Sequence, residues 1–231
     1  MSTFSPSRFS RRKRYAIALI VAIIGITIAF YNQEKSAPYQ STKEWNYDSY
    51  QNNTVPNGFT YLQTDDKPGL WIVKSDPSAP SAPNVLAKLP DNDTKFQYHI
   101  QLMPDAVETS NSEVSVKFKI VSGQEAQAAG LVIRFIDNDH YYVLLADAMN
   151  NRFSVCRAEP GTLLCILDKK AAISTNEWHT ITADTSDQGI AGYVDNKLLI
   201  RLNDQHYQTG QQGLWTKKDT EAYFDDLKIK Y

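Results

Sequence analysis

Two adjacent carboxylates, Asp225 and Asp226, lie in the last alternating run of the chain, AYFDDLKIKY over 222–231. Strict alternation sets Asp225 on the face of Tyr223, Leu227 and Ile229, where an unpaired carboxylate is costly and a partner is required. Backbone amides, a tyrosine hydroxyl or a metal ion could each be that partner. Cys156 and Cys165 flank Arg157 to Leu164, with Pro160-Gly161 at the centre. A hairpin turning there sets the sulfurs side by side, so a disulfide is expected in an oxidising compartment. The alternative is a pair of buried thiols packed as small apolar groups. His99, His140, His179 and His206 are scattered and share no metal-ligand spacing, which argues against zinc. The chain has no Gly-x-Ser-x-Gly elbow and no Gly-rich phosphate loop.

The scaffold for these groups is written in the hydropathy. From Trp45 onward the dominant signal is period-two alternation in short runs. In 113–121, Val114, Val116, Phe118 and Ile120 alternate with Ser115, Lys117 and Lys119. Comparable runs occupy 130–136, 140–147, 151–157, 163–167, 177–183, 190–195, 197–203 and 222–231. Between them stand turn residues such as Asp137-Asn138-Asp139, Pro160-Gly161 and Asp195-Asn196. In the looser region before Pro90, short strands are expected at 44–49, 71–74 and 84–89, with SDPSAPSAP as an ordered loop. The pattern predicts an all-β, two-sheet antiparallel sandwich over residues 45–231. Trp45, Trp71 and Trp178 fall within alternating runs and are expected in its core.

Upstream, Tyr15 to Tyr31 reads YAIALIVAIIGITIAFY, with no charge and no proline. As a helix it rises about 26 Å, close to the hydrocarbon thickness of a bilayer. Arg11, Arg12, Lys13 and Arg14 precede it, so residues 1–14 are expected as a cytoplasmic basic tail and 15–31 as a single transmembrane anchor. Residues 32–44 are expected as a polar tether, and the body as a periplasmic domain of the bacterial inner membrane. A cleaved secretory signal is the competing reading; the length of the span favours the anchor. Both export the body.

Composition narrows the function. The chain has 24 Lys+Arg against 26 Asp+Glu in 231 residues. Because residues 1–31 hold only basic charges, the body is net acidic, a poor partner for nucleic acid. Two cysteines are too few for a disulfide scaffold or a four-thiolate zinc site.

The strings AAGLVIRFIDNDHYYVLLADAMNNRFSVCR, NEWHTITADTSDQGIAGYVDNKLLIRLND and TGQQGLWTKKDTEAYFDDLKI, in that order, resemble concanavalin A-like jelly-roll domains. The nearest group is the exported bacterial set described as family-16 glycoside hydrolase-like, laminin-G-like or 3-keto-disaccharide hydrolase-like. The resemblance covers roughly Trp45 to Tyr231 and implies a jelly roll. Family-16 enzymes carry Glu-x-Asp-x-x-Glu on one strand, a spacing found nowhere here. Where many relatives have Arg-Ala-Asn, this chain has Leu145-Ala146-Asp147. No catalytic residue is therefore assigned. The resemblance also implies a structural calcium, with Asp225 and Asp48 as ligands. Sugar binding needs aromatic platforms and polar groups on an open sheet face. The candidates are Arg134, Tyr142, Asp147, Asn150, Arg152 and Trp215. The expected function is a non-catalytic carbohydrate-binding or envelope-interaction module with a glycan partner. The alternatives are a glycan-processing hydrolase and an accessory subunit with a membrane-protein partner.

Overall fold

Antiparallel pairing begins where the alternation is cleanest. In β6 (Ser112–Ser122), Val114, Val116, Phe118 and Ile120 are buried while Glu113, Ser115 and Lys117 between them are half-buried. This strand sits at the centre of one sheet, between β11 (His179–Ser186) and β15 (Glu221–Lys230). The computed structural model describes residues 39–63, 70–90, 98–104 and 108–231. The other strands are β1 (Thr42–Trp45), β2 (Thr60–Gln63), β3 (Trp71–Ser75), β4 (Asn84–Lys88), β5 (Tyr98–Leu102), β7 (Ala128–Asp137) and β8 (His140–Asp147). They continue with β9 (Arg152–Glu159), β10 (Thr162–Lys170), β12 (Gly189–Val194), β13 (Lys197–Leu202) and β14 (Gln211–Lys217).

The described strands form two antiparallel sheets. An eight-stranded sheet runs β13-β12-β11-β6-β15-β4-β3, with β1 also paired to β15. A seven-stranded sheet runs β10-β9-β8-β7-β14-β5-β2. Between them lies the main core, built on Phe118, Ile120, Leu131, Leu144, Phe153 and Phe224. Each such side chain contributes about 1.5–3 kcal/mol when fully buried. The turns follow the local chemistry. Asp195 and Asn196 both have positive φ, 49° and 64°, as a two-residue hairpin turn between twisted strands requires.

The described sandwich, Tyr39–Tyr231, starts earlier than the alternation suggests. Gln40 and Ser41 donate their amides to the Tyr231 carbonyl, and β1 pairs in register with Leu227 to Lys230. The end of the expected 32–44 tether is thus part of the sheet. The expected tail 1–14 and span 15–31 lie outside the described residues. Among the described residues no helix is long and apolar enough to cross a membrane.

Strands β2, β5 and β14 escape the alternation reading. Beside Leu214 in the register, His99 and Gln101 of β5 and Thr216 of β14 direct polar groups inward and are fully buried. A second apolar cluster, with Val132, Tyr141, Val143, Cys156 and Trp215, occupies the opposite face of the seven-stranded sheet. Strands β7 to β9 are therefore apolar on both sides, which is why GLVIRFI and YYVLLA read as continuous runs. Trp71 is buried in the main core, whereas Trp45 is only half-buried against it. Trp178, expected in the core, is half-exposed on the far side of the eight-stranded sheet, with the Lys119 ammonium 5.0 Å above its ring.

Candidate ligand groove on the eight-stranded sheet

Alternation that sends Val114, Val116, Ile181, Leu227 and Ile229 into the core sends their neighbours to the outer face. Register then lines those neighbours up. Glu44 stands opposite Lys228, Lys228 opposite Ser115, Ser115 opposite Thr182, and Thr182 opposite Tyr193. This row crosses five strands, a span of about 19 Å at the usual strand spacing. A parallel row holds Lys230, Glu113 and Asp184. A third pairs Lys117 with Thr180.

These side chains line a groove of about 550 Å³ whose walls include Glu44, Asn46, Lys117, Asp226 and Lys228. A second hollow of about 390 Å³, lined by Glu113, Thr182, Tyr193 and Asn196, shares Ser115 and Thr180 with it. The two form one trough. Its charges come in couples: Lys117 lies 2.9 Å from Asp226, Lys228 pairs with Glu44, and Lys230 lies 2.5 Å from Glu113. Asp184 accepts a hydrogen bond from the Tyr39 hydroxyl at 3.0 Å. Burial raises the Asp184 carboxyl above the ordinary range, and Glu113 opposite adds to this, while Tyr39 and Arg201 oppose it.

A β-bulge builds part of this groove. The register of β15 against β6 shifts between Asp225 and Lys228, and Asp226 has φ 47°. One extra residue resets the alternation. Tyr223 joins the outer cluster, while Leu227 and Ile229 join the core. Asp225 therefore does not share the face of Leu227 and Ile229, as unbroken alternation requires. It is fully buried and accepts bonds from the Ser81 amide and hydroxyl, each at 2.7 Å, and from the Asp226 amide at 2.7 Å. Asp48 accepts the Asn84 amide at 3.0 Å and the Asn46 side-chain amide at 3.1 Å. The two carboxylates thus hold the two ends of one short segment, Ser81 to Asn84.

That donor set fits an anchored loop. It does not fit a hard-cation cage of about six to eight oxygens, because N–H groups already face the carboxylates. Among the described residues no three His, Cys, Asp or Glu side chains stand together as metal ligands. No role is derived through calcium.

Of the six residues expected to meet a sugar, Asp147, Asn150 and Arg152 come together at the β8–β9 turn, while Arg134, Tyr142 and Trp215 lie in β7, β8 and β14. Arg134 sits at an irregularity of β7 with φ 52°, is buried, and donates to the carbonyls of Tyr207, Ser110 and Ser186 at 2.9–3.3 Å. Tyr142 is buried in the core and donates its hydroxyl to Asp204 at 2.7 Å. Asp147 closes the β8–β9 turn by accepting the Asn150 amide and side chain at 3.0 and 2.7 Å. Arg152 is exposed between Asp147 and Asp168 at 3.9 and 3.8 Å. Trp215 is fully buried and stacks on Tyr98 with centroids 5.0 Å apart.

Asp204, not singled out by the sequence, is the hub of a further cluster. It pairs with Arg157 at 2.6 Å and accepts from Tyr142 and the His206 amide. Burial pushes its carboxyl up, but these donors and the guanidinium win and hold it below the ordinary range. The groove residues Ser115, Lys117, Thr180 and Thr182 were present in the sequence as the polar half of two alternating runs; what was hidden was the register that joins them. The two sulfurs form the disulfide Cys156–Cys165, with Cα atoms 3.8 Å apart at directly paired positions of β9 and β10.

No family model matches the chain, and no curated protein matches it in sequence. Solved structures do match in fold. The carbohydrate-binding module CBM66 from Bacillus subtilis aligns with a TM-score of 0.60 at 18% identity, over 76% of this chain and 98% of that one. A Bacillus licheniformis beta-glucanase aligns with a TM-score of 0.56 at 10% identity, over 83% and 98%. A Bacillus subtilis protein of unknown function with a galectin-like fold aligns with a TM-score of 0.52 at 8% identity, over 82% and 98%. What is shared is the concanavalin A-like jelly roll. A disulfide within such a domain points to an oxidising, extracytoplasmic compartment.

Proposed function

We propose that the protein is an exported, non-catalytic glycan-binding module of the cell envelope. The observation that carries this reading is the trough across the outer face of the eight-stranded sheet, lined by paired charges, hydroxyls and the aromatic residues Trp45 and Tyr193. The fold shared with a carbohydrate-binding module supports it. The apolar segment 15–31 and the basic residues before it support retention in a bacterial inner membrane, with the sandwich in the periplasm. A glycan array probed with the full-length chain in detergent tests the binding: saturable, competable signal is expected. Fractionation of the native host tests the anchoring: the chain is expected in the membrane pellet, with the sandwich accessible to protease only from the periplasmic side.

A second reading, a glycan-processing hydrolase, is favoured by one observation. Glu113 and Asp184 are directly opposite across β6 and β11, and the Asp184 carboxyl is raised. Paired acids with separated proton affinities are what glycoside hydrolysis uses, at about 5–5.5 Å in retaining enzymes. Here both acids are engaged, Glu113 by Lys230 and Asp184 by Tyr39. Turnover of a glycoside panel, abolished by Asp184→Asn with the melting temperature kept, would establish this reading instead.

A further inference from the structure

We infer that the groove is built for an uncharged glycan chain, gripped through its adjacent hydroxyls by ammonium–carboxylate couples; this deepens the glycan-binding reading and rests on it. Each lysine named on the walls is already matched, Lys117 with Asp226, Lys228 with Glu44 and Lys230 with Glu113, while Asp184 beside them is held by the Tyr39 hydroxyl. The trough therefore offers no surplus cation to attract a polyanion. A uronate or sulfated sugar would have to open these pairs and would then face the carboxylates of Glu44, Asp226 and Glu113. A polycation would meet the three lysines in the same way.

A neutral polyol meets neither obstacle. One hydroxyl can donate to the carboxylate of a couple while its neighbour accepts from the ammonium, so the pair is bridged rather than broken. The exposure of the couple permits this, since the Lys117 and Asp226 side chains are 40% and 35% accessible. Such charge-assisted bonds are stronger than neutral ones. Between the couples, Ser115, Thr180 and Thr182 each present a hydroxyl that both donates and accepts. Tyr193 closes the row with a half-buried ring, a surface against which the apolar face of a pyranose can pack. The row spans about 19 Å across the strands, which suits a chain of several sugar units rather than a single one.

The test is titration calorimetry on the full-length chain with a soluble neutral glucan, a neutral mannan, polygalacturonate and a chitosan oligomer. A neutral polymer is expected to bind, with an affinity that changes by less than about twofold between roughly 0.05 and 0.5 M NaCl, because no net charge is screened. Lys117→Met and Asp226→Asn are each expected to weaken it roughly tenfold or more, the loss expected of a charge-assisted bond. Tyr193→Ala is expected to weaken it, and Lys74→Met, on the same sheet but bonded to Tyr223, to leave it unchanged. Melting temperatures of all four variants show whether each is folded. Binding confined to polygalacturonate or chitosan would overturn the inference while leaving glycan binding intact. So would neutral binding indifferent to the groove variants in folded protein. Binding to none of the polymers, nor to any glycan of the array, would overturn the underlying reading as well.

Discussion

Asp225 shows how one carboxylate can be buried without a cation. Three donors from Ser81 and Asp226 surround it, yet burial still leaves its carboxyl above the ordinary range. A raised folded-state value means that this group favours folding most when protonated, and that the contribution is lost as pH rises through it. Asp204 has the opposite sign. Its lowered carboxyl contributes stability above the ordinary aspartate range and loses it as pH falls through the folded value. Asp204→Asn is therefore expected to flatten the acid side of a stability–pH curve, measured by urea unfolding at pH steps, and Asp225→Asn to leave that side no shallower. Asp225→Ala strands the Ser81 donors and is expected to cost about 1–3 kcal/mol in the same assay. Chelator is expected to leave the melting temperature unchanged, because amides satisfy Asp48 and Asp225; a chelator-dependent fall would restore calcium to the site. At this scale the sequence indicated that Asp225 needs a partner. It could not name Ser81, which lies 144 positions away.

Strands were legible wherever one face is dry and the other wet. Strands β6 and β11 satisfy that condition: β6 matches the run 113–121 to within one residue at each end, and β11, read at 177–183, runs from His179 to Ser186. The alternation failed where a strand turns polar groups inward, as in β5 and β14, and where a bulge resets the phase; β7 to β9, apolar on both faces, were still legible as the runs 130–136, 140–147 and 151–157. Arg134 and Asp226 are both such resets, each with a left-handed φ on a non-glycine residue. Of the expected glycan ligands, Arg134 is the one that such a reset carries: it sits at the register irregularity of β7 and donates to backbone carbonyls. The β9–β10 hairpin was read correctly from its turn. Its disulfide closes a loop of separation 9, which the chain-entropy relation values at about 2–3 kcal/mol. Cys156→Ser with Cys165→Ser is expected to lower unfolding free energy by about that amount, with wild type in reductant matching the double variant. At Gly130 the packing tolerates no added atom. A Cβ on Gly130 would lie 2.3 Å from the Leu144 carbonyl oxygen of the neighbouring strand. Gly130→Ala is expected to cost about 1–3 kcal/mol by urea unfolding, because backbone rather than a side chain must move.

Across the whole molecule, the sandwich class followed from short runs at regular spacing, but the trough did not, because it is a property of register. Its row joins β1, near the start of the described chain, to β12 and β15 near its end. No local window of sequence contains that neighbourhood. The pairing of β1 with β15 has a mechanical consequence. A pull on the chain at residue 39 enters through β1, whose pairing among the described residues is with β15 alone. Tyr39 is fastened to Asp184, and β1 lies along β15, which is itself flanked by β6 on its other side. Tension entering there is shared by the middle of the sheet, so the sandwich should resist traction at that end better than at the free margin formed by β13.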